Sequence, residues 1–222
     1  MRGYFITGTD TGIGKTRVAV ALLHALRRRG WPALGFKPVA SGCDTTAAGP
    51  RNADALALQA ASVRALSYPQ VNPYAFAAPV APHLAAAQAG TVIDVQRICD
   101  GIAALRPAWV VVEGVGGWQV PLNERETVAD LATALGLPVI LVVGLRLGCL
   151  NHALLTAAAI DTHGVPLAGW VANQVDPTFA EADANVRSLQ ARLNAPLLGY
   201  LPWDATTPPA AFADHLSLPD TV

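Results

Sequence analysis

Gly8-Thr9-Asp10-Thr11-Gly12-Ile13-Gly14-Lys15-Thr16 is the stretch on which the fold turns. The apolar run Tyr4–Thr7 precedes it, and Val18, Leu22 and Leu26 follow at every fourth position until Gly30. A strand, a glycine-rich turn and an amphipathic helix are the setting a phosphate-binding loop requires. The free N–H groups of the loop and helix start would hold phosphates. Lys15 would reach the β- and γ-phosphates, and the Thr16 hydroxyl would hold Mg²⁺. Five residues separate Gly8 from Gly14, one more than the common spacing. The plain alternative is a glycine-rich turn with no ligand, and Gly-Lys-Thr at a helix start argues against it.

Outward from this loop, apolar runs alternate with helical ones. Strands are expected at Tyr4–Thr7, Ala33–Lys37, Trp109–Val112, Val139–Val143, Leu167–Ala172 and Leu197–Leu201. Several are apolar on both faces, as strands buried between two helix layers should be. Helices are expected before Gly30, from Asn151 to His163 and from Glu181 to Leu193. The alternation predicts an α/β fold of the P-loop NTPase type, with a doubly wound, mostly parallel sheet flanked by helices. Ligands of such sheets bind beyond the carboxyl ends of the strands. Lys37 ends a predicted strand, and Gly8, Glu113, Gly144, Asn173 and Pro202 each follow one, so they should share one rim. Residues 41–90 break the rhythm with prolines at 50, 69, 73, 79 and 82, and read as a helix and loop insertion along one edge of the site. With no repeat and no linker, residues 1–222 read as a single domain. The tail from Pro208 has weak periodicity and reads as partly irregular.

Three acidic or basic positions stand out. Glu113 opens Glu113-Gly114-Val115-Gly116-Gly117-Trp118 after a strand, where an acid can complete a Mg²⁺ site directly or through water. The glycines let the backbone approach a ligand closely. Asp54, in Arg51-Asn52-Ala53-Asp54, reads first as an acid at a helix start, stabilising the dipole. Lys37 could screen a transferring phosphoryl group or make a surface salt bridge, and the residues alone leave both open.

Bulk properties narrow the classes further. The 222 residues are 52% hydrophobic and carry a formal charge of -1. Arg27-Arg28-Arg29 is the one basic cluster, and it closes a predicted helix, where cations face the negative dipole end. This argues against a nucleic-acid partner. No apolar run approaches the roughly 18 residues of a membrane span, and no signal peptide is evident. Cys43, Cys99 and Cys149 have no metal-ligand spacing, and the five histidines are scattered. A cytoplasmic protein with reduced thiols is expected.

Together these stretches resemble the dethiobiotin synthetases over roughly Tyr4 to Trp203. The resemblance rests on the phosphate loop combined with Lys37-Pro38-Val39-Ala40-Ser41-Gly42, Asn52-Ala53-Asp54-Ala55-Leu56, Val71-Asn72-Pro73-Tyr74, Leu147-Gly148-Cys149, Asn151-His152-Ala153 and Gly169-Trp170-Val171-Ala172-Asn173. The stretched phosphate loop is also the form this family uses. The resemblance implies a cyclo-ligase that closes a ureido ring on 7,8-diaminopelargonate with CO₂ and ATP. It implies Mg²⁺ held by Thr16, Asp54 and Glu113, and Lys15 and Lys37 as the catalytic cations. It implies nucleotide contacts from Gly12, Ile13, Gly14, Lys15, Thr16, Arg17, Glu113, Gly114, Val115, Gly116, Asn173 and Gln174, with Asn173 reading the adenine. Thr11, Ser41, Gly148, Cys149 and Asn151 would contact the diamine-derived substrate. The segment 148–151 would serve the neighbouring subunit of a homodimer. Gly12 stands where members can carry an acid, and Gln174 where an Asp can occur.

Two other classes fit the residues less well, and a nucleotide-binding module with no chemistry would not explain Lys37. A partitioning ATPase would carry a second lysine early in the phosphate loop, where this chain has Asp10. A glutamine-dependent amidating enzyme would need an amidotransferase domain that 222 residues cannot hold.

Overall fold

The computed structural model describes residues 1–204 and 206–218. The chain opens on β1 (Arg2–Gly8), buried from Gly3 onward, and turns through the phosphate loop into α1 (Lys15–Arg28). Helix α1 closes at Gly30 in a Schellman arrangement, with Trp31 N donating to Leu26 O and Gly30 N to Arg27 O. Arg27 and Arg28 occupy its last turn, as expected for cations at a helix C-terminus. Then follow β2 (Ala33–Phe36), β3 (Val39–Ala40), β4 (Asp44–Thr46), β5 (Gly49–Arg51), α2 (Ala53–Ala61), α3 (Tyr68–Val71), β6 (Tyr74–Ala75) and α4 (Pro82–Gln88). The second half alternates α5 (Val95–Ala104), β7 (Trp109–Glu113), α6 (Val128–Leu135), β8 (Val139–Leu145), α7 (Cys149–Thr162), β9 (Leu167–Gln174), α8 (Ala182–Gln190) and β10 (Leu197–Leu201). A 3₁₀ helix, Pro209–His215, is the last element among the described residues.

Six strands form one parallel sheet in the order β10-β9-β8-β1-β7-β2. Strands β7 and β8 are buried at every position, as a sheet covered on both faces demands. One apolar cluster lies on the α5 and α6 side, and a second joins α1 to Phe212 and Leu218 of the tail. The carboxyl ends of β1 and its two neighbours bring the phosphate loop, Glu113 and the 146–149 turn to one rim.

The structure departs from the sequence reading in four places. Strands β1 and β7 take in Gly8 and Glu113, and β8 and β9 run on to Leu145 and Gln174, so Gly8, Glu113, Gly144 and Asn173 are paired within the sheet and do not follow it. Gly144 reads as a turn glycine, but its role is space: a Cβ there would sit 2.6 Å from Ile13 Cγ2. The 41–90 segment holds helices α2, α3 and α4, and also strands: the β4–β5 hairpin, and β6, which pairs with β3 just ahead of the segment. Strand β4 is exposed and β5 contains Pro50, so neither carries the apolar alternation by which strands are recognised. Helix α7 starts at Cys149 with Gly148 as its N-cap, which puts Asn151 inside its first turn. Finally, Pro209–His215 of the tail forms a 3₁₀ helix against α1, where Phe212 and Ala213 bury their side chains and Asp214 pairs with Arg28.

Candidate active site

The phosphate loop starts its helix without a side-chain cap. Gly14 is the N-cap with φ 85°, a left-handed conformation that favours glycine. A Cβ at Gly14 would also lie 2.2 Å from Asn173 Nδ2. The first-turn N–H groups of α1 are thus left for a ligand. Lys15 Nζ donates to the Asp10 carbonyl at 2.7 Å and so lies across the loop. Arg146, in the turn after β8, holds the Asp10 carboxylate at 2.5 Å.

Beneath the loop is a buried charge cluster. Lys37 Nζ donates to Glu113 Oε1 at 2.5 Å, to Asp54 Oδ2 at 3.1 Å and to the Gly114 carbonyl at 3.3 Å. Thr16 Oγ1 donates to the same Glu113 oxygen at 3.0 Å. Lys37 is 4% exposed and Glu113 1%. Burial lowers the pKa of Lys37, but the two carboxylates outweigh it, and the ammonium is held above its ordinary range. Burial raises Glu113 more than Lys37 lowers it. Burial also raises Asp54, yet the Lys37 charge and hydrogen bond help bring it down overall. Lys15 is pushed down to about 8, by burial first and by the Lys37 charge second. An anion bound between these two lysines would offset both causes by its charge.

Thr16, Asp54 and Glu113 offer hard oxygen donors of the kind Mg²⁺ prefers. The fit has an independent sign: Glu113 Oε2 is buried and has no hydrogen-bond partner, an unusual condition for a carboxylate oxygen. Among the described residues no cluster of three or more His, Cys, Asp or Glu side chains forms a metal centre alone. A metal here would need oxygens from Thr16, a phosphate or water.

A cavity of about 750 Å³ opens beside this cluster. Lys15, Thr16, Lys37, Asp54 and Glu113 line its charged end, and Thr11, Ser41, Val115, Gly116 and Val120 its remainder. Of the sequence-predicted residues, Thr11, Gly12, Gly14, Lys15, Thr16, Lys37, Ser41, Asp54, Glu113, Val115 and Gly116 therefore share one cavity. Gly114 packs behind it against Phe5.

The others lie apart. Arg17, Asn173 and Gln174 stand on the opposite flank of the loop. Asn173 Nδ2 donates to the Ile13 carbonyl at 2.8 Å and its Oδ1 accepts from Arg17 Nη1 at 3.3 Å, so both ends of its amide are engaged, each with one further lone pair or hydrogen. Gln174 Oε1 accepts from the Tyr200 hydroxyl at 2.9 Å. Gly148, Cys149 and Asn151 do not line the cavity of their own chain. The Cys149 thiol is buried, and its N–H is spent on the Arg146 carbonyl at 3.0 Å. Asn151 is exposed. Sequence reasoning missed Arg146 and Asn52. Asn52 Oδ1 caps α2 by accepting from Ala55 N at 3.1 Å, and an Asn before a helical run is a readable signal for that role. No signal announces Arg146.

The chain matches the AAA domain family over residues 2–211. It is 54% identical over 221 residues to an ATP-dependent dethiobiotin synthetase BioD of Pseudomonas paraeruginosa, covering 98% of this chain and 97% of that one. It is 54% identical over 218 residues to the ATP-dependent dethiobiotin synthetase BioD of Xanthomonas oryzae pv. oryzae, with 97% of each chain covered. The fold is also that of the MinD cell division protein of Aquifex aeolicus, with TM-score 0.57, 15% identity, and 92% and 84% of the two chains covered. A ParA family ATPase from Chlorobium tepidum gives TM-score 0.55 at 15% identity, covering 97% of this chain and 99% of the other. These two likenesses concern architecture alone. Identity above one half, sustained over nearly the whole length of both chains, is of another order, and with it the chain belongs to the ATP-dependent dethiobiotin synthetase family, within the AAA-domain proteins.

Proposed function

We propose that this chain closes the ureido ring of dethiobiotin on 7,8-diaminopelargonate, using CO₂ and ATP and releasing ADP and phosphate. One amine adds CO₂ and loses a proton, giving a carbamate. The carbamate oxygen attacks the γ-phosphorus of ATP and expels ADP, forming a carbamic-phosphoric anhydride. The second amine attacks the carbamoyl carbon, phosphate leaves, and the ring is closed. The observation that carries this reading is the meeting of Lys15, Thr16, Lys37, Asp54 and Glu113 at one end of a cavity large enough for a small substrate.

In this reading the N–H groups at the start of α1 and the Lys15 ammonium hold the β- and γ-phosphates. Lys15 would leave its Asp10 carbonyl to do so. Lys37, kept protonated by its two carboxylates, stabilises charge on the carbamate and phosphoryl oxygens. Thr16, Asp54 and Glu113 would hold Mg²⁺, which when bound neutralises charge on the phosphate oxygens. Thr11 and Ser41 line the cavity where they can orient the diamine. The decisive experiment is ADP release by the purified chain, which is expected only when the diamine and bicarbonate are both supplied. ADP release without the diamine would overturn the reading.

The metal set carries its own prediction. Glu113→Ala should raise the Mg²⁺ concentration at half-maximal rate by about tenfold, in the range seen when a charged, hydrogen-bonded ligand is lost. An unchanged half-saturation would take Glu113 out of the metal set.

The remaining parts of the reading are a one-domain chain, a reducing cytoplasmic location in keeping with three free cysteines, and a homodimer. In the dimer, residues 148–151 of one subunit would receive the substrate carboxylate of the other, using N–H groups at the start of α7 and the exposed Asn151 amide. Leu147, 91% accessible in the turn before α7, and the exposed Leu155 of α7 are apolar groups a partner would cover. Asn151→Ala should then raise the KM for the diamine about tenfold and leave that for ATP within twofold. Sedimentation of a fully active monomer would remove both the dimer and this role.

A further inference from the structure

The family resemblance gives the base to Asn173, and one side chain beside Asn173 ties the surrounding segments together. The triphosphate has two ends. The transferring end must face Lys37 and Glu113, because the substrate cavity lies there. The nucleoside must therefore leave the loop on its other flank, past Gly14 and the first turn of α1, toward the ends of β9 and β10. Arg17 occupies that flank. Its Nη1 donates to Asn173 Oδ1 at 3.3 Å and its Nη2 to the Pro202 carbonyl at 3.2 Å. Its Cζ lies 3.7 Å from the centroid of the Phe212 ring, which is itself buried.

One guanidinium thus joins three parts of the chain that are far apart in sequence. Through Asn173 it bears on the phosphate loop, since Asn173 Nδ2 holds the Ile13 carbonyl. Through Pro202 and Phe212 it fastens the C-terminal segment over the start of α1. A planar fork with donors on two sides and a face for stacking suits this task, and an ammonium does not.

We propose that Arg17 is a positioning residue for the nucleoside: it latches the C-terminal segment and the Asn173 amide into the wall against which the base packs. The proposal rests on the nucleotide-binding reading of the phosphate loop. Phosphate binding belongs to the loop and Lys15. The latch reaches the phosphate loop only through Asn173, which keeps its own bond to Ile13, so its main effect falls on the nucleoside.

The test separates the two ends of the ligand. Binding of ATP and of inorganic tripolyphosphate, which has no base, is measured by calorimetry with Mg²⁺ on the full chain. The variants are Arg17→Met, Arg17→Lys and Phe212→Leu. Arg17→Met should weaken ATP about tenfold and change tripolyphosphate less than twofold, since one stacking contact and two hydrogen bonds are lost on the base side only. Arg17→Lys, which keeps the charge, should restore less than half of that affinity, and Phe212→Leu should fall between. In turnover, KM for ATP should rise while kcat and the KM for the diamine hold. The proposal is overturned if Arg17→Met binds ATP as the wild type does, or loses ATP and tripolyphosphate in equal proportion. A wild-type chain that bound neither ligand would overturn the nucleotide reading beneath it.

Discussion

Lys37→Met is expected to cut turnover by about 10²–10³-fold, the usual cost of one preorganised charge at a developing anion. The same change should also unsettle the fold. Lys37 is the partner of a carboxylate that is 1% exposed, and its removal leaves Glu113 with only the Thr16 hydroxyl. Breaking a buried pair from one side costs about 3–5 kcal/mol, unless the carboxylate takes up a proton. Glu113 already has its pKa raised by burial, so protonation offers a partial escape. The double variant Lys37→Met/Glu113→Gln removes both charges and should recover most of the thermal stability. It should recover none of the turnover. Melting curves and steady-state rates on the two variants separate the roles. A Lys37→Met enzyme with more than about half the wild-type rate would end the catalytic assignment.

Lys37 also shows where the sequence stops being readable. A lysine after a buried strand could be read as screening a phosphoryl group or as a salt bridge. The structure gives an ion pair that is buried and faces the cavity, with partners 17 and 76 residues away along the chain. Such pairing is set by the crossing of β2, α2 and β7, and no local pattern encodes it. Asp54 is alike. It does sit in the first turn of α2, as a helix-start acid should, and it also accepts from Lys37. The phosphate loop was legible because its function is local: a strand end, a left-handed glycine and a helix start in one run. The parallel sheet was legible because strands buried on both faces are apolar throughout. The β4–β5 hairpin was not, since it is held by backbone pairing and carries no apolar face. Neither was the tail, whose order depends on Phe212 meeting Arg17 and the α1 core.

Lys15→Met should abolish turnover to a similar degree, about 10²–10³-fold, yet leave the nucleotide-free protein more stable at neutral pH. The two lysines differ in what surrounds them. Lys37 lies between carboxylates. Lys15 is buried, donates to the Asp10 carbonyl and feels Lys37 as a like charge. Its pKa in the folded chain is about 8, against an ordinary lysine value near 10.5. The folded state thus holds this proton less tightly than the unfolded chain does. Below pH 8 the ammonium is present in both states, and its confinement costs stability on the order of a few kcal/mol. Between about 8 and 10.5 the folded protein sheds the proton first, and the cost fades. Methionine keeps the apolar stem and has no charge to confine. With EDTA and no nucleotide, Lys15→Met should melt several degrees higher than wild type at pH 7, a shift that a chain of this size shows for a few kcal/mol. The gain should shrink as the pH is taken toward 10. Saturating Mg²⁺-ATP should reverse the order, because the wild type alone gains the phosphate contact that Lys15 is there to make. A variant that melts lower than wild type at pH 7 without ligand, or whose advantage grows with pH, would show that the cation is not strained in the empty site.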